Sequence, residues 1–380
     1  MVFAYITFKL YKKRCIKVKH IKIIIFIFPI ILLSGCYDRV PIERTSVVSG
    51  SAQDIIDDNL LSASLEYLIF TGKEKISKTV STQTGQSIYD IFNKRLLEAK
   101  KTYLTGTIRS LIISEDRARY GIDDIIDSFM RDQERNINTT VVVCKDKAVD
   151  IIKIEPKESN TMSSEIEDLI KSSYQTNFNQ RDTNIKDLYN MRFQEGRRIM
   201  LPYIEKYKDT VKISSVAVFE KDKMIFKIPS EDVKYVNLIR NHDTLGYLNF
   251  SGEKPLESFD IYCKVNRKVK ADIKNDNINY NIKITLNSLI KENSINKFKE
   301  MDKKTIDTIQ DTYSKELKSK LESIIEKYKS NYGVDVFDIQ KYAVAKLGKD
   351  KADYVSSKFK DSNINIEVKI KINSIGRVIR

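Results

Sequence analysis

From Phe259 to the end of the chain, apolar residues recur with a period of two, then of three to four, then of two again. A period of two marks a half-buried strand and one near 3.6 an amphipathic helix, so the order reads strand, strand, helix, strand. The first strand runs from Phe259 to Ile273, with Ile261, Cys263, Val265, Val269, Ala271 and Ile273 on one side. Lys274 to Asn277 reads as a turn, and Ile278, Tyr280, Ile282, Ile284 and Leu286 alternate on the returning strand. Asp302 to Lys329 is a long helix with Ile306, Ile309, Tyr313, Leu317, Leu321, Ile324 and Tyr328 along one stripe. Gly333 fits its C-terminal stop, and Asp335 caps a shorter helix after it. Ile364, Ile366, Val368, Ile370 and Ile372 then alternate with polar residues on a last strand. That order implies an α+β domain: an antiparallel or mixed sheet with the long helix packed on one face.

Upstream, the pattern alternates between the two periods. Leu61 to Ile69 is a half-buried strand, whereas Thr71 to Gln86 is polar, holds Gly72 and Gly85, and reads as a loop. Ser87 to Ala99 places Ile88, Ile91, Phe92, Leu96 and Leu97 on one helical stripe. Thr107 to Ile113 is a β-branched strand; Gly121 precedes a helix with Ile122, Ile125, Ile126, Phe129 and Met130 on one face; Thr139 to Cys144 is the next strand. Strands alternating with helices suggest an α/β-like unit with parallel neighbours. Glu155 to Lys186 is polar with two or three weak helices, and the second region opens on strand Lys212 to Glu220 with a turn at Lys221–Lys223. At 380 residues the chain exceeds what one core of ~250–300 residues holds, so two to three sheet-plus-helix domains are expected. The division falls into residues 36–210, with room for two subdomains, and 211–380.

Residues 1–35 stand apart. Seven basic and no acidic side chains precede an almost wholly aliphatic or aromatic run, Ile23 to Leu33, ending at Leu33-Ser34-Gly35-Cys36. A basic segment, a short apolar segment and small residues form an export signal, and the run is too short for the ~20 residues of a spanning helix. The end of the segment resembles a bacterial lipobox, in which the cysteine thiol receives lipid. The mature protein is therefore expected to begin at Cys36, tethered to a membrane outside the cytoplasm.

The formal charge is uneven: +7 in the leader, −2 over residues 36–210 and +9 over residues 211–380. A basic region can sit against anionic headgroups, but solvated lysines in a chain this rich in Lys, Ile and Asn account for it more simply. Export leaves nucleic acid out of consideration. Without Cys15 and Cys36, two cysteines remain, Cys144 and Cys263, both in strands and read as small buried hydrophobes. His20 leaves with the leader, so His242 in the loop Arg240–Thr244 would have to serve any His-dependent catalysis, and no nucleophile, zinc-binding or phosphate-binding motif accompanies it. Asp123, Asp124 and Asp127 read as a helix N-terminal turn rather than a metal cluster, and the absence of tryptophan disfavours a sugar-stacking surface. No catalytic residue, metal site or cofactor is expected. Arg131-Asp132-Gln133-Glu134-Arg135 is either a salt-bridged helix end or, in the sharper reading, a partner-facing patch formed by Arg131, Asp132, Glu134 and Arg135.

Several of these segments, in order, resemble the Ger(x)C family, the lipoprotein C subunits of bacterial spore germinant receptors. Ser34-Gly35-Cys36-Tyr37-Asp38-Arg39 is similar to its S-G-C-W-D-R start. Gly85 to Asp90 resembles a helix-start motif of the family. Tyr103 to Gly106, Leu111 to Glu115 and Ala118 to Ile122 together resemble its central stretch, and Phe129 to Arg135 its R-D-x-E-x-R run. Ala217 to Lys223 and the ending Ile364 to Gly376 complete the likeness. Thr107 stands where the family usually has His, Phe226 where Gly is expected, and the tryptophan usual before the last strand is absent. The resemblance implies a non-enzymatic subunit on the outer face of the spore inner membrane, beside integral-membrane A and B subunits, acting in assembly or signal coupling. A solute-binding lipoprotein of a transporter is the alternative.

Overall fold

The computed structural model describes residue 41 and residues 44–57, 60–71, 75–180, 183–274, 277–295 and 301–375. The leader and Cys36 lie outside the described residues, as does the expected turn at residues 275–276. Among the described residues the strands form two sheets. The first contains β1 (Thr45–Asp57), β2 (Leu60–Thr71), β3 (Lys75–Gly85), β4 (Thr102–Leu104), β5 (Ser110–Ser114), β6 (Thr140–Cys144), β7 (Met200–Tyr207), β8 (Thr210–Glu220) and β9 (Lys223–Ile228). Its order is β3-β2-β1-β5-β6-β7-β8-β9, with β4 beside β1. The second contains β10 (Leu245–Ser251), β11 (Ser258–Lys274), β12 (Asn277–Asn293) and β13 (Asn363–Ser374), in that order.

The expected parallel unit is present. β1, β5, β6 and β7 pair in parallel, and β5 and β6 are buried along their whole length. Helices α1 (Ile88–Glu98), α2 (Glu115–Tyr120), α3 (Asp123–Arg131) and α6 (Ile185–Phe193) bury residues with Val141 and Val143 on one face. Helices α4 (Ala148–Ile152) and α5 (Met162–Ser173) bury theirs with Val142 and Cys144 on the other. Covering both faces is what an uninterrupted apolar strand requires.

Two acids of the β1–β2 hairpin hold those last helices in place. Asp54 accepts hydrogen bonds from the Ala148 and Val149 N–H groups at 2.7 and 3.0 Å. Glu66 accepts from Met162 and Ser163 at 2.9 and 3.0 Å, with Lys78 Nζ 3.6 Å away. Each carboxylate thus satisfies N–H groups left orphaned at a helix start.

The segment 71–86 corrects the sequence reading. Its residues Lys75–Gly85 form the edge strand β3, paired antiparallel with β2 from Thr71↔Lys75 to Leu61↔Gly85. Its Ser and Thr residues bond as they pair, for example Ser64 Oγ to Thr82 Oγ1 at 2.7 Å. The α1 stripe is corrected too: Ile88, Ile91 and Arg95 face inward, while Leu96 and Leu97 are exposed.

The C-terminal expectations hold. β11 and β12 pair antiparallel, and β12 and β13 pair in parallel, making a mixed sheet. The long helix α8 (Lys303–Tyr332) buries Leu317, Leu321, Ile324 and Tyr328 in the core that includes the inward residues of these strands. Asp302 caps it by accepting from the Thr305 N–H at 2.7 Å, and Gly333 ends it at a left-handed φ of 62°. Ser314 and Gln310 of α8 accept from the Ile370 and Ile372 N–H groups of β13 at 2.9 and 2.8 Å, so the helix also blunts the sheet's free edge. Helices α7 (Ser230–Arg240), α9 (Gln340–Leu347) and α10 (Ala352–Ser357) complete this layer. Position 210/211 falls at the start of β8, and the first sheet continues through it.

Candidate functional site

The segment flagged as partner-facing sits where α1 and α3 lie together on the first sheet. Ser87 caps α1 by accepting from the Asp90 N–H at 3.1 Å, and Asp90 accepts from the Gln86 N–H at 3.0 Å. This reciprocal pair fixes the helix start. The inward side of α1 carries Arg95, which donates to Ser81 O and Oγ at 3.1 and 2.7 Å and to Ala63 O at 2.8 Å. Burial draws its pKa below the usual guanidinium range. Arg95, Arg135, Gln53 and Phe129 help enclose a cavity of about 40 Å³, room for a water or two rather than for a substrate.

The structure divides the four candidate residues. Arg135 turns inward, donating to Asp132 Oδ2 and Ser128 Oγ at 3.0 Å each, with its guanidinium 5.1 Å from the Phe129 ring centroid. Asp132 also accepts from the Glu134 N–H at 3.0 Å. These two residues shape the loop. Arg131 and Glu134 face outward; Arg131 is 73% exposed and pairs with Asp127 at 2.8 Å. The Glu134 carbonyl would lie 2.7 Å from a Cβ placed on Gly106, so this loop and the Tyr103–Gly106 segment meet in space.

Helices α1 and α3 also leave apolar side chains exposed. Tyr89, Leu96 and Leu97 of α1 are 51%, 45% and 82% exposed, and Met130 of α3 is 39% exposed. Leu96 follows Tyr89 by two helical turns, and Tyr89 lies within electrostatic reach of Arg131. The sequence reading assigned Leu96, Leu97 and Met130 to the core; the fold leaves them outside, because the inward stripe of α1 ends on Arg95.

The acidic turn of α3 is held by arginines. Asp123 is bound bidentately by Arg192 at 2.8 and 2.7 Å, and Asp124 by the buried Arg117 at 2.5 and 2.6 Å. Cys144 and Cys263 are free and buried, as expected. His242 Nδ1 accepts from the Arg267 N–H at 3.1 Å, so that nitrogen serves a strand.

Sequence reasoning missed a buried charge cluster joining the two sheet regions. Arg240 of α7 donates to Arg198 O, just before β7, at 3.0 Å and to Val336 O, just after α8, at 3.2 Å. Arg197 binds Asp338 at 3.1 Å, and Arg267 donates to Phe337 O at 2.9 Å. Asp335 accepts from the Phe337, Ile339 and Gln340 N–H groups at 2.8, 2.7 and 2.8 Å, capping α9 from five residues upstream. Burial pushes the Asp338 carboxyl up, but Arg240, Lys341 and Arg197 outweigh it and hold the pKa below the usual 3.8. One signal was visible: Arg267 interrupts the apolar side of β11. The cluster makes a hydrogen-bonded polar joint between the two sheet regions.

Comparison with known proteins gives these surfaces a context. The spore germination protein N-terminal domain matches residues 38–206, and the spore germination B3/GerAC-like C-terminal domain matches residues 214–376. Spore germination protein A3 of Bacillus subtilis (strain 168) is 22% identical over 270 residues, covering 69% of this chain and 71% of that protein. Spore germination protein GerQC of Bacillus cereus is 19% identical over 310 residues, covering 80% and 85%. The crystal structure of the GerBC protein shares the fold, with a TM-score of 0.55 at 12% identity over 85% of this chain and 97% of that one. These likenesses are to spore germination proteins, and they do not support the alternative of a transporter's solute-binding lipoprotein. The chain belongs to the Ger(x)C family of spore germination proteins.

Proposed function

We propose that the chain is the lipid-anchored C subunit of a spore germinant receptor, on the outer face of the spore inner membrane beside A and B membrane subunits. Its work there is assembly or signal coupling. The observation that carries this reading is the adjacency of the matched domains to the lipid-attachment sequence: the first match begins at residue 38, two residues after Cys36. A lipid on Cys36, so near the start of the matched region, confines the chain to the membrane surface and raises its effective concentration toward membrane partners. The exposed side chains of α1 (Tyr89, Leu96, Leu97) and, at and after the end of α3, Arg131 and Glu134 supply surface of the kind partners cover.

The test is made in sporulating cells carrying an epitope-tagged chain, by fractionating dormant spores and scoring germination on candidate nutrients. Cys36→Ala is expected to release the protein from the membrane fraction and abolish the nutrient response together. Retention in the membrane with a normal response would refute the anchor. Normal germination in a clean deletion, with uptake of one nutrient impaired, would refute the receptor role.

A further inference from the structure

The far end of the β2–β3 hairpin is apolar and uncovered. Ile69, Phe70 and Ile76 are 37%, 54% and 45% exposed. Phe70 and Ile76 are direct cross-strand partners and so share a face, while Ile69 lies opposite Ser77 on the other. The ribbon thus presents apolar side chains on both faces at one end only. Further along β2, Ala63 and Leu65 are buried.

The chain enters the fold beside this end. Val47 of β1 pairs with Leu68, two residues before Phe70. Eight residues, or nine Cα–Cα steps, separate Cys36 from Thr45, where β1 begins. At ~3.3–3.6 Å per residue such a segment spans about 30 Å at most. A lipid on Cys36 therefore keeps this end of the first sheet close to the bilayer. The opposite end of β1, at Ile56, lies some eleven residues away, or roughly 35 Å at the rise of a strand.

We infer that the hairpin end formed by Ile69, Phe70 and Ile76 is a second membrane contact, seating its side chains at the boundary between headgroups and acyl chains. This rests on the proposed attachment of lipid at Cys36. Three side chains are too few for a stable protein interface, which needs about 800 Å² from each partner. They suffice for shallow insertion once a tether has already brought them to the surface. A tether alone leaves the domain free to rotate; a tether with a neighbouring apolar contact fixes which face it turns to membrane partners.

The chain contains no tryptophan, so Phe70→Trp introduces a unique fluorophore at an exposed position. The full-length protein, extracted from membranes, is reconstituted on phosphatidylglycerol–phosphatidylethanolamine vesicles with or without brominated acyl chains. We expect the protein to float with the vesicles and the Phe70→Trp emission to be quenched at least twofold by the brominated lipid. Ile56→Trp, at the opposite end of β1, stays unquenched. Ile76→Trp gives the same reading should Phe70→Trp fail to fold. Flotation with both indoles unquenched overturns the hairpin contact and leaves the lipid anchor standing. Failure of the wild type to float, matched by Cys36→Ala, overturns the anchor and this inference with it. An indole that becomes shielded only when A and B subunits are present also overturns it, in favour of a protein contact.

Discussion

Replacing Asp335 with alanine tests whether the buried charged cap of α9 stabilises the fold or is merely tolerated by it. The carboxylate is 2% exposed and accepts from three backbone N–H groups, at 2.8, 2.7 and 2.8 Å. Hydrogen bonds to a charged group contribute about 1.5–3 kcal/mol each, so three at the lower end sum to about 4.5 kcal/mol. A water entering the vacated space recovers part of one, which leaves a loss of about 4 kcal/mol for Asp335→Ala. Asp335→Asn keeps one acceptor oxygen but brings an amide that needs its own partners, and loses about 2 kcal/mol. The competing effect is desolvation. If the cost of burying the charge outweighs its hydrogen bonds, the neutral amide is harmless or stabilising. Urea unfolding followed by far-ultraviolet circular dichroism measures the totals, and hydrogen exchange over residues 333–347 locates the loss. A deficit below about 1 kcal/mol for Asp335→Ala, with unchanged exchange in that segment, would refute the reasoning.

Gly106→Ala places a methyl 2.7 Å from the Glu134 carbonyl. Backbone cannot yield cheaply there, so urea midpoints should fall by the equivalent of about 1–3 kcal/mol, with faster exchange over residues 132–139. Asp338, held below the usual 3.8 mainly by Arg240, Lys341 and Arg197 against the upward push of burial, is ionised and stabilising above that value. Its contribution is lost as pH falls through the lower folded pKa, so Asp338→Asn should lower stability at neutral pH and flatten the acid limb below about pH 4. Leu97→Ser removes an apolar side chain that is 82% exposed. It should leave the unfolding midpoint within about 0.5 kcal/mol of wild type yet reduce co-purification with membrane subunits; a normal yield of complex would exclude this face as the interface.

What was legible in the sequence follows the physics of burial. β11, β12 and β13 have one apolar and one polar face, so period two survives in the residues, and α8 keeps its stripe because the side that meets the sheet is continuous. Caps were legible because they are local: Gly333 and Asp335 each act on N–H or C=O groups a few residues away. β3 was not, because Ser and Thr occupy both faces of an edge strand and its register comes from β2 rather than from its own pattern. The charge cluster failed for a related reason. Arg197, Arg240 and Asp338 lie on a loop, a helix end and another loop, and each is an ordinary polar residue until the chain brings them together. The partner patch shows both halves of this at once. Its four residues were picked from local charge pattern, and the fold turns Asp132 and Arg135 into the loop and Arg131 and Glu134 outward. Substitutions at Arg131 and Glu134 should therefore act on partners, and those at Asp132 and Arg135 on the loop that presents them.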